Sequence, residues 1–208
     1  MDAWLDKFGL RTAALGGLLA VAGDGGQLWC ANAGRAELGL RAPPSFVLVA
    51  ATLIGVLGLS SYAPGYAALG ARASVEGAGA LGRALRASGI AFAALAAVVH
   101  GVTGLLLATP ALRSGVDPLR AVLGAHPLYV ALWGAATIAF VASNALLLRQ
   151  LGRRWLALAS PLPSTLLIAA AAGALPELVR DFVRPASVNL AHLVFFAIAA
   201  RAARRAGA

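Results

Sequence analysis

Charge is what this sequence has least of. Of 208 residues only 12% are Asp, Glu, Lys or Arg, against roughly 25% in an ordinary soluble domain, and lysine occurs once, at Lys7. So few charges cannot clothe a surface in water. The single cysteine, Cys30, excludes an internal disulfide and a multi-cysteine metal site, and reads as a small apolar residue. Other chemical signatures are also missing: no His-Glu-x-x-His, no phosphate-binding glycine loop, no Gly-x-Ser-x-Gly and no Cys-x-x-Cys. The His-x-x-x-His spacing of membrane metallohydrolases is absent as well, so no metal, haem or other cofactor is expected.

What is present is apolar. Hydrophobic residues make up 60% of the chain and the mean hydropathy is +0.82. A membrane span needs about 20 apolar residues, and six runs qualify: 12–32, 45–70, 85–108, 125–149, 155–176 and 187–204. The last is short unless its arginines reach to the headgroups. Prolines 43, 44, 110, 127, 161, 163, 176 and 185 lie at or near run ends, where a missing N–H is tolerated. The expected fold is all-α: one polytopic transmembrane bundle of about six helices with short loops, filling residues 1–208.

The net charge is +9, but the seventeen basic residues are spread over the run ends and form no nucleic-acid patch. Membrane lipids, a hydrophobic small molecule and a second copy of the chain are the partners this leaves. Eleven basic residues share one side (Lys7, Arg11, Arg72, Arg83, Arg86, Arg149, Arg153, Arg154, Arg201, Arg204 and Arg205) and six the other (Arg35, Arg41, Arg113, Arg120, Arg180 and Arg184). That asymmetry predicts N and C termini in the cytoplasm, in a bacterial cytoplasmic membrane. The first run has a basic flank and an Ala31-Asn32-Ala33 end resembling a signal peptide. The length of the segment before that end, with Asp24, Gln27 and Trp29, predicts a retained helix instead.

An ionisable group in hydrocarbon usually faces the bundle interior with a partner. Asp24 and Gln27, three apart, share a helix face. His100 lies in the extracytoplasmic half of run three, with Thr103 near it. His126 and Tyr129 open run four, Glu177, Arg180 and Asp181 follow run five, and Asn189 and His192 share a face of run six. These placements predict a polar cavity in the extracytoplasmic half, with Asp24, His100 and His192 as catalytic groups. Gln27, Tyr62, Tyr66, Trp133, Asn189 and Glu177 are the candidate substrate contacts. Structural readings stand beside these: interhelical hydrogen bonds for the polar groups, ion pairs at i,i+3 for Glu177–Arg180 and Asp181–Arg184, an interfacial position for His126, Tyr62 and Tyr66, and interfacial anchors for Trp4, Trp29 and Trp155. Asn144 belongs to a second, cytoplasmic set with the two tyrosines.

Gly23-Asp24, Gly65-Tyr66, His100, Arg154-Trp155, Ser160-Pro161, Leu175-Pro176 and Pro185-x-x-x-Asn189 follow one another along most of the chain. In this order they resemble a family of uncharacterised bacterial six-span integral membrane proteins, with Ser160-Pro161 standing where that family has Asn-Pro. The resemblance implies the six-span fold and singles out Asp24, Tyr66, His100 and Asn189; it implies no activity. From the residues alone, the function expected is a membrane enzyme that works by acid–base chemistry on a lipid-phase or isoprenoid-like substrate, of isomerase or cyclase type. A proton-coupled transporter or channel and a structural assembly subunit are the alternatives.

Overall fold

A computed structural model describes residues 2–32, 41, 44–75, 77–108, 127–150 and 159–206. The described residues form α1 (Asp2–Asn32), α2 (Ser45–Ser60), α3 (Tyr62–Val75), α4 (Gly79–Leu107), α5 (Pro127–Gln150), α6 (Pro161–Ala171) with a 3₁₀ turn at Ala172–Ala174, and α7 (Glu177–Ala206). Among them there is no strand. Residues 1, 33–40, 42–43, 76, 109–126, 151–158 and 207–208 lie outside the described set, and with them His126, Trp155, Arg35, Arg113, Arg120, Arg153 and Arg154. The side chains of Trp4, Lys7 and Arg205 also lie outside it.

Four helices are long and apolar enough to cross a membrane: Ser45–Val75, Gly79–Leu107, Pro127–Gln150 and Glu177–Arg204. The first joins α2 and α3, which are separated by a turn at Ser61. Pro64 explains the break, since its ring cannot donate to the Ser60 carbonyl and collides with it. The outer surface is as apolar as the core. Phe46, Leu57, Leu105, Ile138 and Leu167 are each more than 60% exposed, and leaving one such side chain in water costs about 1.5–3 kcal/mol. Lipid removes that cost. α1 is long but falls below the four in hydropathy because Asp24, Gln27 and its glycines interrupt the apolar run.

Two run boundaries differ from the sequence expectation. The fifth helix begins at Pro161 and is short, Pro161–Ala174 with its 3₁₀ turn. The last helix, α7, begins at Glu177, ten positions before the expected 187, and carries Pro185 inside it. The first turn is closed by Arg180 N–H to the Pro176 carbonyl at 2.9 Å, and Pro185 borders open space rather than a packed neighbour. The helix therefore loses one bond at Pro185 without being ended by it. Glu177, Arg180 and Asp181 are thus first-turn helical residues and not a connecting loop.

The helices alternate in direction, so Asn32, Ser45, Leu107, Pro127 and Glu177 gather at one end, called here the upper end. α1 packs on α2, α3 and α7. α4 packs on α2, α3 and α5, and α6 lies along α7. The α1–α2 contact is backbone against backbone: a Cβ at Gly23 would strike the Gly55 backbone. This close seam holds Asp24, next in sequence, at a fixed depth beside α2 and α4.

Candidate functional site

Asp24 is the hub of the buried polar groups. Its Oδ1 lies 3.2 Å from His100 Nδ1, and its Oδ2 accepts from Asn189 Nδ2 at 2.6 Å. The Asn189 Oδ1 in turn accepts from the Tyr62 hydroxyl at 2.9 Å. Four helices, α1, α3, α4 and α7, therefore meet through one carboxylate. Asp24 Oδ2, an acceptor, decides the Asn189 amide orientation: the nitrogen must face Asp24, so the oxygen faces the Tyr62 hydroxyl, which donates to it.

His100 is 6% exposed and sits where α2 has no side chain. A Cβ on Gly55 would overlap the His100 ring. The ring's Nε2 faces the Ala51 carbonyl at 3.4 Å, so both ring nitrogens point at oxygens. Two arrangements satisfy this. In one, an imidazolium donates to a carboxylate and to Ala51. In the other, a protonated Asp24 donates to Nδ1 while Nε2–H faces Ala51. They carry the same number of protons and differ only in which side of the Asp24–His100 contact holds one. Gln27 braces the pair from above, donating to the His100 carbonyl at 3.0 Å and to Thr52 Oγ1 at 3.1 Å.

The pair faces a cavity of about 580 Å³, the size of a small-molecule site. Gln27 and Asn189 line it beside Asp24 and His100. Apolar residues make up most of the rest, with Leu59, Phe92 and Phe140 toward the lower end and Tyr129 and Trp133 on the α5 wall. Asp181, Arg184 and Pro185 line its upper part on α7. From Phe92 to Leu107 along α4 the cavity runs about 20 Å at 1.5 Å per residue, with His100 about midway. It is long, with the acid pair on its side and aromatic carbon at its lower end.

The structure thus brings Asp24, His100, Gln27, Asn189 and Trp133 together around one space. It does not bring His192, Tyr62, Tyr66 or Glu177 to that space. His192 is fully buried below Asn189, stacked on Tyr62 (ring centroids 4.5 Å) and on Phe92 (5.1 Å). Phe92 presents its own ring to the cavity instead. Nδ1 of His192 is 2.7 Å from the Val188 carbonyl, which requires a proton there; a ring enclosed by Tyr62, Phe92, Phe140 and Phe196 stays neutral, so Nε2 accepts from the Tyr66 hydroxyl at 3.0 Å. This fixes His192 as a neutral core group, and by stacking on Tyr62 it helps hold the phenol that orients Asn189. Tyr62 and Tyr66 are fully buried rather than interfacial. Glu177 is 67% exposed on the upper surface, 3.9 Å from Arg180, which also reaches Asp181 at 3.8 Å.

No family model, curated protein or solved structure matches this chain. Among the described residues, His, Cys, Asp and Glu side chains gather in no group of three or more. Asn144 is structural, because it donates to the Phe140 carbonyl at 2.9 Å and accepts from Leu162 N–H at 3.0 Å. It thereby caps α6, whose first residue is a proline and whose Ser160 makes no side-chain cap. Sequence reasoning missed the aromatic wall of Phe92 and Phe140, and the gap at Gly55 that admits His100. Nothing in a single apolar run distinguishes a phenylalanine that faces a cavity from one that faces lipid.

Tyr66→Phe tests the His192 assignment. The variant leaves Nε2 a buried acceptor with no hydroxyl, and should lower stability by about 1–3 kcal/mol. Reversible unfolding in mixed micelles measures it. An unaltered midpoint would remove the Tyr66–His192 bond from the framework of the site.

Proposed function

We propose that this protein is a six-span integral membrane enzyme that moves protons on an elongated, apolar, isoprenoid-like substrate, of isomerase or cyclase type. The observation that carries the reading is the Asp24–His100 contact of 3.2 Å opening on an apolar cavity of about 580 Å³. An acid and a base that share a proton are costly in apolar surroundings and are what carbon acid–base chemistry needs. Delivery of the shared proton to one carbon of a double bond forms a C–H bond and leaves a cation on its neighbour. Loss of a proton from the adjoining carbon returns it to the pair. The double bond has then moved, and no proton is gained or lost overall. The lower aromatic end suits a hydrocarbon tail, and Asp181 and Arg184 at the upper part suit a polar head.

Solvent exchange tests this without a known substrate. Purified protein is incubated in D₂O with a bacterial membrane lipid extract, and neutral lipids are read by mass spectrometry. A protein-dependent gain of deuterium at carbon in an isoprenoid species is expected. Absence of any such label across the extract would overturn the reading.

The arginine asymmetry supports six crossings with both termini in the cytoplasm, the cavity in the extracytoplasmic half and a place in the bacterial cytoplasmic membrane. A fluorescent protein fused after Ala208 should be bright, and a periplasm-dependent phosphatase fused there inactive. The reverse pair of signals would invert the topology.

A further inference from the structure

Beside Asp24 and along α5, the cavity wall's hydrogen-bond donors are largely spent on the protein. Trp133 Nε1 donates to the Tyr129 hydroxyl at 3.1 Å. Thr103 Oγ1 donates to the Val99 carbonyl at 2.8 Å, so in its 2.6 Å contact with Tyr129 the phenol is the donor. The polar atoms of Trp133 and Tyr129 are thereby tied to one another and to α4. Both hydrogens of the Gln27 amide are likewise taken, by Thr52 and the His100 carbonyl. At this depth the wall offers a ligand chiefly the carbon of Phe92, Tyr129, Trp133 and Phe140, together with the carboxylate end of the Asp24–His100 pair, the more open of the two partners (16% against 6% exposed).

Aromatic faces and a carboxylate attract a cation that brings its own apolar body. A positive centre over a ring gains from the ring's negative face, most strongly with tryptophan. A neutral polar group at the same depth would find acceptors and few donors. Among the described residues, the titratable groups around the cavity are Asp24, His100, Tyr129, Asp181 and Arg184. Arg184 stands on α7 five residues above Asn189, about 7 Å along the axis, and Asp181 lies one turn from it. The positive charge of Arg184 is thus at the upper end, away from the Asp24 level.

We infer that this cavity is a binding site for lipophilic ammonium ions, whose cationic nitrogen lies beside Asp24 and the aromatic wall with its alkyl chain toward Phe92 and Phe140. The inference rests on the proposed enzyme reading, because such an ion copies the charge and shape of the carbocation between the two proton transfers. It adds a ligand class with a permanent charge and no reactive hydrogen, which the site would hold without turning it over.

The test uses the full chain in zwitterionic nanodiscs, with empty nanodiscs subtracted for partitioning. Octyltrimethylammonium is compared with 2,2-dimethyldecane, its uncharged carbon isostere, by equilibrium partition and mass spectrometry. The ammonium ion is expected to bind at least tenfold more tightly. Asp24→Asn should weaken the ammonium ion about tenfold, and Trp133→Leu by several-fold, with the hydrocarbon unchanged in both. Trp133 is 43% exposed, so its replacement spares the core and serves if the Asp24 variant fails to fold. Equal binding of the two probes to the parent protein, or an ammonium affinity unmoved by both substitutions, would overturn the inference. Ammonium preference without carbon deuteration in D₂O would sink the enzyme reading and leave the cation site standing. Deuteration without ammonium preference would do the opposite.

Discussion

Asp24→Asn should lower deuterium incorporation by about 10²–10⁴-fold, the usual weight of one general acid–base group, while the protein stays folded. The geometry says why the two effects separate. An asparagine carbonyl at position 24 still accepts from Asn189, now 2.6 Å from the carboxylate. Its amide can donate to His100 Nδ1, which then carries its only proton on Nε2, facing the Ala51 carbonyl 3.4 Å away. Every bond of the hub persists, so stability should change by no more than about 1 kcal/mol. What is lost is the transferable proton: an amide donates a hydrogen bond but does not release its hydrogen to carbon. Initial rates of labelling, with unfolding midpoints on the same preparations, measure both. Labelling at the parent rate would take Asp24 out of the chemistry. A collapse of stability with labelling per folded molecule unchanged would make Asp24 a strut between α1, α4 and α7.

The grouping of Asp24, Gln27, His100 and Asn189 was legible in the sequence because each interrupts an apolar run in its upper half. Hydrocarbon leaves such groups few choices but one another. The same rule over-reached at His192. That residue also lies in an apolar run and also faces inward, but it finds its partners in a backbone carbonyl one turn back and in Tyr66, a residue of another helix. Nothing in the run distinguishes a histidine that meets a ligand from one that meets a tyrosine. Glu177 departs from expectation for a different reason. Pro185 reads as a run end, yet an interior proline costs a helix one bond and a ring's width of space, and here the residue borders the cavity. The helix passes through it, and Glu177 begins that helix at the surface. The all-helical fold and its four membrane-length apolar helices were legible from hydropathy alone. The short Pro161–Ala174 helix shows the limit, since Asn144 on another helix sets where it begins.

The room for His100 depends on an absence, and this gives the second large effect. Gly55→Ala places a methyl on the imidazole ring. The three atoms nearest that methyl all belong to the ring and none to the backbone, so the ring must move, and it cannot do so while holding Asp24 Oδ1 at 3.2 Å. Labelling in D₂O should therefore fall toward the Asp24→Asn level, and overpacking should cost about 1–3 kcal/mol. His100→Ala should also abolish labelling, and it vacates the volume that the new methyl needs. In that background Gly55→Ala should be close to neutral, giving a coupling of about 1–3 kcal/mol between two positions 45 residues apart in sequence. Unfolding equilibria of the parent, the two single variants and the double variant measure the cycle. If Gly55→Ala costs the same whether or not the imidazole is present, the methyl meets something other than His100. The acid pair would then owe its position to Gln27 and Asn189 alone.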